Sequence, residues 1–221
     1  MNMASNIVEK YFFILFSVLP ISIIVGPSVS LANIIIIDIS FLIYVFYLKE
    51  WSWLKDKRIK LLLVLYIYLI LNCFTSIEFS NSVARNLGFI RFIIFFAAFN
   101  YFFLKYENFN KFFILWSIVL SIVVFDIYFE AVNGSNILGY GYNDRIYSFF
   151  NSPIAASYVL AFFILIIAFL NQHFNKKNYL KYIFLIFSII CLVSIFLTGE
   201  RSNTIKALMF FSIFYLFNDN F

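Results

Sequence analysis

The chain is a succession of long apolar runs joined by short polar connections, a pattern that suits a bilayer rather than water. A spanning helix needs about 20 mostly apolar residues, within a range of about 17–25. Eight candidate runs can be marked, three of them slightly shorter than this range. They are Tyr11 to about Val25, about Val29 to Leu48, Leu61 to Ile77, a run entered through EFSNSVARNLG and ending at Leu104, Phe112 to about Phe129, Ile154 to Leu170, Tyr182 to about Leu197, and about Thr204 to Phe217. Only 12% of the residues are charged, against about 25% in soluble domains. The expected fold is all-α, a polytopic transmembrane bundle of about eight spans. It forms a single transmembrane domain over residues 1–221, with no soluble domain and no internal repeat. The first run with SVSLA after it could be read as a signal peptide, but the next apolar run begins at once.

Lysine placement predicts the orientation. Ten of the eleven lysines (10, 49, 55, 57, 60, 105, 111, 176, 177 and 181) fall at the N-terminus or in the connections after spans two, four and six. By the positive-inside rule those connections and both termini are cytoplasmic. The net charge of +5 is then explained by topology, and no nucleic-acid partner is expected. The arginines do the opposite. Of five, only Arg58 lies in a lysine-rich connection, whereas Arg85, Arg91, Arg145 and Arg201 lie at or just inside the other, outer connections. Charge near hydrocarbon is costly and usually has a partner or a ligand. An arginine fork stays charged when desolvated and meets phosphate or carboxylate oxygens bidentately. Four outer arginines therefore point to an anion at head-group depth. The plainer alternative is that each pairs with an acid, for which Glu78, Asp126, Glu130, Asp144 and Glu200 are available.

The longest polar stretch, DIYFEAVNGSNILGYGYNDRIYSFFNSP from Asp126 to Pro153, holds three of the six glycines. Residues 130–153 are expected to form the main outer-face loop and one wall of the working site, since irregular backbone at a lipid boundary must face water or a protein-lined cavity. In SNSVARNLGFIRFIIFF, Ser80 or Asn81 is a plausible helix N-cap. Arg85 and Arg91, six residues apart, do not share a face of an ideal helix and serve one site only if the helix is kinked, with Gly88 as the candidate, or if the site wraps around it. Asp38 lies within the second span, about 12 Å from its outer end at 1.5 Å per residue. It reads either as a neutral or hydrogen-bonded acid or as a counter-ion for an arginine. Cys73 and Cys191 read as buried thiols, and His173 as a solvated histidine in a lysine-rich connection. The sequence has no Gly-rich phosphate loop, metal-ligand cluster or nucleophile triad, so no cofactor and no metal is expected.

The segments IEFSNSVARNLGFIRFIIFF, DIYFEAVNGSNILGY, RIYSFFNSPIAASYVLAFF and IFLTGERSNTIKALMFF, in that order, resemble the bacterial O-antigen polymerase and O-antigen ligase family, as does the opening LPISIIVGPSVSLANIII. The resemblance implies a multi-pass protein of the bacterial inner membrane. It would move a glycan from an undecaprenyl-pyrophosphate-linked donor to an acceptor glycan or lipid at the periplasmic face. It further implies that Arg91, Arg145 and Arg201, with Arg85 matching less closely, hold the pyrophosphate. Glu200 and Asp144 are candidate catalytic bases, each equally placed to be the structural partner of its arginine neighbour. Members of that family have more helices and a large outer loop bearing a histidine in their second half. This chain is expected to correspond to their N-terminal portion and to bind a lipid pyrophosphate without turning it over alone. Two other readings stay open: a transporter of an anionic lipid or solute, and a non-catalytic membrane subunit. Polarity gathered at one face favours transfer over alternating access.

Overall fold

A computed structural model describes residues 3–105, 111–141, 145–150, 152–174 and 178–216. Among them the chain is all-helical, without a strand. The helices are α1 (Met3–Val25), α2 (Pro27–Leu48), α3 (Lys57–Cys73), α4 (Phe79–Leu87), α5 (Ile90–Lys105), α6 (Phe112–Asn133), α7 (Ala155–Phe174), α8 (Asn178–Leu197) and α9 (Arg201–Leu216), with a 3₁₀ turn at Ser52–Lys55. Four helices are long and apolar enough to cross a membrane: Ile7–Val25, Pro27–Leu48, Phe79–Lys105 (α4 and α5 together) and Phe112–Asn133. Shorter apolar stretches occupy Ala155–Ile166 and Leu185–Leu197. Four of the eight expected spans therefore meet the length and hydropathy of a crossing helix among the described residues. Their exteriors are apolar. α2 buries Asn33 and Asp38 with Ile37, Phe41 and Val45, and turns Ile35, Ile36, Ile39 and Ile43 outward. Polar groups inside and branched aliphatics outside suit a lipid surround.

The chain divides into two compact units, Met1–Ile23 with Pro27–Asn110 and Ile24–Gly26 with Lys111–Phe221. In the first, α2 packs on α5, and α3 on both α4 and α5. Ala97 and Ala98 are fully buried, and their small side chains let α5 approach its neighbours closely. Phe12 stacks on Phe102 at 4.0 Å, and Phe41 meets Phe102 edge-on at 6.3 Å. α1 ends at Gly26, whose φ of 146° no side chain tolerates well, and Pro27 opens α2 where a missing N–H costs nothing. Asp56 caps α3, accepting the Arg58 backbone N–H at 2.9 Å. The Arg58 guanidinium also binds Asp56, and this pairing holds the Asp56 carboxyl below the usual carboxylate range. Nearby, the Tyr101 hydroxyl donates to Glu50 and lowers that carboxyl too.

The run from Glu78 to Leu104 is two helices. α4 begins at Phe79 after Glu78, which makes no side-chain cap, so neither Ser80 nor Asn81 is the cap; Asn81 instead donates back to Glu78 Oε2 at 2.8 Å. Glu78, Asn81, Ser82 and Arg85 follow the spacing of one helix face, making α4 amphipathic. The break falls at Gly88 and Phe89, as the sequence suggests. In the second unit α7 packs on α6, α8 and α9, and α8 on α6 and α9. Trp116 meets Phe162 edge-on at 5.0 Å, and the Tyr128 hydroxyl donates to the Ile190 carbonyl at 3.0 Å.

Candidate functional site

The loop between α6 and α7 is built around two acids of α6. The helix runs one turn further than expected, to Asn133, and stops at Gly134 (φ 75°), whose N–H reaches the Glu130 carbonyl at 2.8 Å. Asp126 and Glu130 are four residues apart, so they share a face. Both are buried, at 0% and 4% exposure. Carboxylates close to a helix C-terminus oppose its dipole and need donors. The loop supplies them. Asp126 accepts from the Ile137 N–H at 2.8 Å and the Ser148 hydroxyl at 2.6 Å. Glu130 accepts from the Tyr147 N–H at 3.3 Å and the Ser148 N–H at 2.6 Å. Asn136 completes the knot, donating to the Ser148 carbonyl at 2.6 Å and accepting the Tyr140 N–H at 2.9 Å. Every polar group of Ser148 is thus engaged, and this holds a serine at φ 54°, a region that side chains avoid. Gly141 lets the chain cross its own start, for a Cβ there would overlap the Gly134 carbonyl oxygen. Asp126 and Glu130 are therefore not arginine partners, the role the sequence left open for them. They brace the loop that carries Arg145.

Arg145 emerges from this loop half-exposed, its Nη1 4.0 Å from Glu200 Oε1. That separation is an ion pair without a hydrogen bond. Glu200 Oε2 accepts instead from Asn203 at 2.7 Å, and the same Asn203 amide donates to Ser157 on α7 at 2.8 Å. Glu200 thus answers to Arg145 across space and not to its sequence neighbour Arg201. Thr204 closes the first turn of α9 on the Glu200 carbonyl. Arg145, Gly199, Glu200, Arg201 and Ser202 line one cavity of about 470 Å³. Arg201 is exposed and has no ion pair or hydrogen bond among the described residues. Two guanidinium groups beside the N-terminus of a helix, where backbone N–H groups lack helical partners, have the chemistry to take up an anion. Asp144 lies outside the described residues, as does the side chain of His173.

In the first unit the two arginines part company at the break after α4. Arg85 lines a wholly polar cavity of about 510 Å³ with Ser76, Glu78, Asn81, Ser82 and Asn86. Asn86 anchors that end of α4 by donating to the Leu69 carbonyl at 3.0 Å. Arg91 turns inward. Its guanidinium lies over the Phe92 ring at 4.8 Å, and its Nε is buried without a hydrogen-bond partner. The Oδ1 of Asp38 is likewise buried without a hydrogen-bond partner. Asp38 sits eleven residues into α2, roughly 16 Å from its start, deeper than expected. Among the described residues Asp38 makes no salt bridge with an arginine, and its Oδ1 accepts no hydrogen bond. The kink thus separates Arg85 and Arg91, which do not line one cavity.

Sequence reasoning missed Ser148, Asn136 and Asn203. The i, i+4 spacing of Asp126 and Glu130 in an apolar helix was the available signal that a loop must fold back to serve them. Among the described residues no three His, Cys, Asp or Glu side chains gather as metal ligands, and both cysteines are buried free thiols. Comparison with protein-family models, with curated proteins and with solved structures finds no match to this chain.

Proposed function

We propose that the chain is a multi-pass protein of the bacterial inner membrane that holds the pyrophosphate of a lipid-linked glycan at the cavity of Arg145 and Arg201, as part of a glycan transferase of the O-antigen polymerase or ligase type. One observation carries the reading: Arg201, with no ion pair among the described residues, and Arg145, paired only at 4.0 Å with Glu200, share a cavity with the N-terminus of α9. In glycan transfer an acceptor hydroxyl oxygen bonds to the anomeric carbon while the bond from that carbon to the pyrophosphate oxygen breaks. The electron pair leaves with the pyrophosphate. Fixed cations that meet this developing charge lower the barrier, often as the largest catalytic contribution. The hydroxyl proton needs a base. Glu200 is the carboxylate in the cavity, with Oε2 held by Asn203 and Oε1 turned toward Arg145. In this reading the eight long helices all cross the membrane, both termini are cytoplasmic, and the loop after α6 faces the periplasm. The second reading, passage of an anion, draws on the unpartnered Arg91 and Asp38 inside the first unit.

The test is binding of undecaprenyl pyrophosphate and of undecaprenol to the purified chain and to an Arg145→Ala, Arg201→Ala variant. A pyrophosphate preference that falls at least tenfold in the variant is expected. Equal affinity for the two lipids in a folded sample would remove the arginine clamp and raise the transport and subunit readings.

A further inference from the structure

In the first unit an apolar groove of about 420 Å³ runs between α3 and α5, from the lysine-rich start of α3 toward the break before α5. Leu61, Leu62, Phe89, Phe92, Ile93 and Phe96 form its walls, and Arg58 is its one polar lining residue. Leu61 and Phe92 are open to the outside, at 71% and 44% exposure. The hydrogen bond from Arg58 Nη2 to Asn100 Oδ1, 3.0 Å, sets the first turn of α3 level with Asn100. From Asn100 back to Phe89 is eleven residues, roughly 16 Å of helix. Half of a hydrocarbon core of ~30 Å is about the same length.

We propose that this groove binds one acyl chain of an anionic glycerophospholipid, with the lipid phosphate held by Arg58. The geometry suits a phosphate. Asp56 takes Nε and Nη2 at 3.2 and 2.8 Å, and Asn100 donates to Asp56 Oδ2 at 2.8 Å, so the guanidinium plane is fixed before any lipid arrives. Nη1 keeps its two hydrogens without a partner among the described residues, on a side chain that is 59% exposed. Asp56 does not cancel the local field. Lys55, Lys57, Arg58 and Lys60 against Asp56 leave three net positive charges over six residues, and the three lysines are exposed. Basic residues beside a membrane helix attract anionic lipid by about 1 kcal/mol each. A bilayer would bathe any apolar groove in lipid. The oriented cation at one end of a groove one leaflet deep is what selects head-group charge. The inference requires a membrane setting but none of the glycan chemistry.

Native mass spectrometry of the full chain, with phosphatidylglycerol or phosphatidylcholine of matched chains added to the detergent, reads the site directly. One retained phosphatidylglycerol per chain is expected, in preference to phosphatidylcholine. In Arg58→Gln the preference should fall about fivefold, the equivalent of one basic residue. Leu61→Trp, which fills the groove and leaves Asp56, Arg58 and Asn100 in place, should lose the lipid. It serves as the deciding variant if Arg58→Gln does not fold. Equal retention of the two lipids overturns the proposal. So does a preference that survives both changes and vanishes only when Lys55, Lys57 and Lys60 are made glutamine, because diffuse attraction would then suffice.

Discussion

Asp126 and Glu130 in one unit and Asp38 in the other are all buried carboxylates on apolar helices, and they end up in opposite circumstances. The first two accept four hydrogen bonds from a loop that follows them in sequence. Asp38 has an oxygen with no hydrogen-bond partner among the described residues. The difference lies in what comes next along the chain. α6 is followed by a loop with glycines where it must turn and cross itself, so backbone N–H groups can be brought back to the helix. Asp38 lies mid-helix, where every neighbouring N–H is already bound within α2. A buried acid near a helix end can organise a loop, whereas one in the middle depends wholly on other helices.

The contrast gives its strongest prediction at α6. Asp126→Ala orphans the Ile137 N–H and the Ser148 hydroxyl, and Glu130→Ala orphans two backbone N–H groups. Each unsatisfied buried group costs about 1–3 kcal/mol, so either change should lower stability by roughly 2–5 kcal/mol in reversible unfolding in detergent micelles. Ser148 sharpens the point. Ser148→Ala loses the bond to Asp126 and keeps the strained φ, while Ser148→Gly loses the same bond and relieves about 1–2 kcal/mol of left-handed strain. Glycine should therefore be the milder substitution, and the reverse order would mean that the strain is not where the backbone places it. Asp38→Asn should cost under about 1 kcal/mol, because no hydrogen bond is lost. A loss as large as at Asp126 would break the comparison.

The smallest effect concerns the lysine-rich connection. Glu50 and Asp56 have carboxyls held below their ordinary values, by the Tyr101 hydroxyl and by Arg58 respectively. A lowered folded-state pKa contributes stability that is fully present above the unfolded values of about 4 and is lost as pH falls through the folded values. Fluorescence of Trp51 and Trp53 should thus stay constant from pH 7 to about pH 5 and change only in more acid solution. A transition near neutrality would contradict these pairings.

Helix positions were legible where local chemistry decides them. Gly26 with Pro27 ends α1 and begins α2, and Gly88 breaks the run that bears Arg85 and Arg91; the end of α6 lies a turn beyond the expected one, at Gly134 rather than at about Phe129. These are backbone effects, visible in one or two residues. The site was legible in its residue types but not in its pairings. Glu200 stands beside Arg201 in sequence yet pairs with Arg145, and Asn203 three residues on takes its other oxygen. Ser148 stands between Tyr147 and Phe149 with no motif to mark it. Its role depends on acids 18 and 22 positions earlier, a separation that neither periodicity nor turn propensity registers.

The knot at Ser148 also has a bearing on how the protein is made. A ribosome adding about 5–20 residues per second delivers Ser148 roughly one to four seconds after Asp126, 22 residues earlier. Until then the two acids of α6 have no donors but water. The last turn of that helix cannot bury both acids among their native donors until Ser148 has been added.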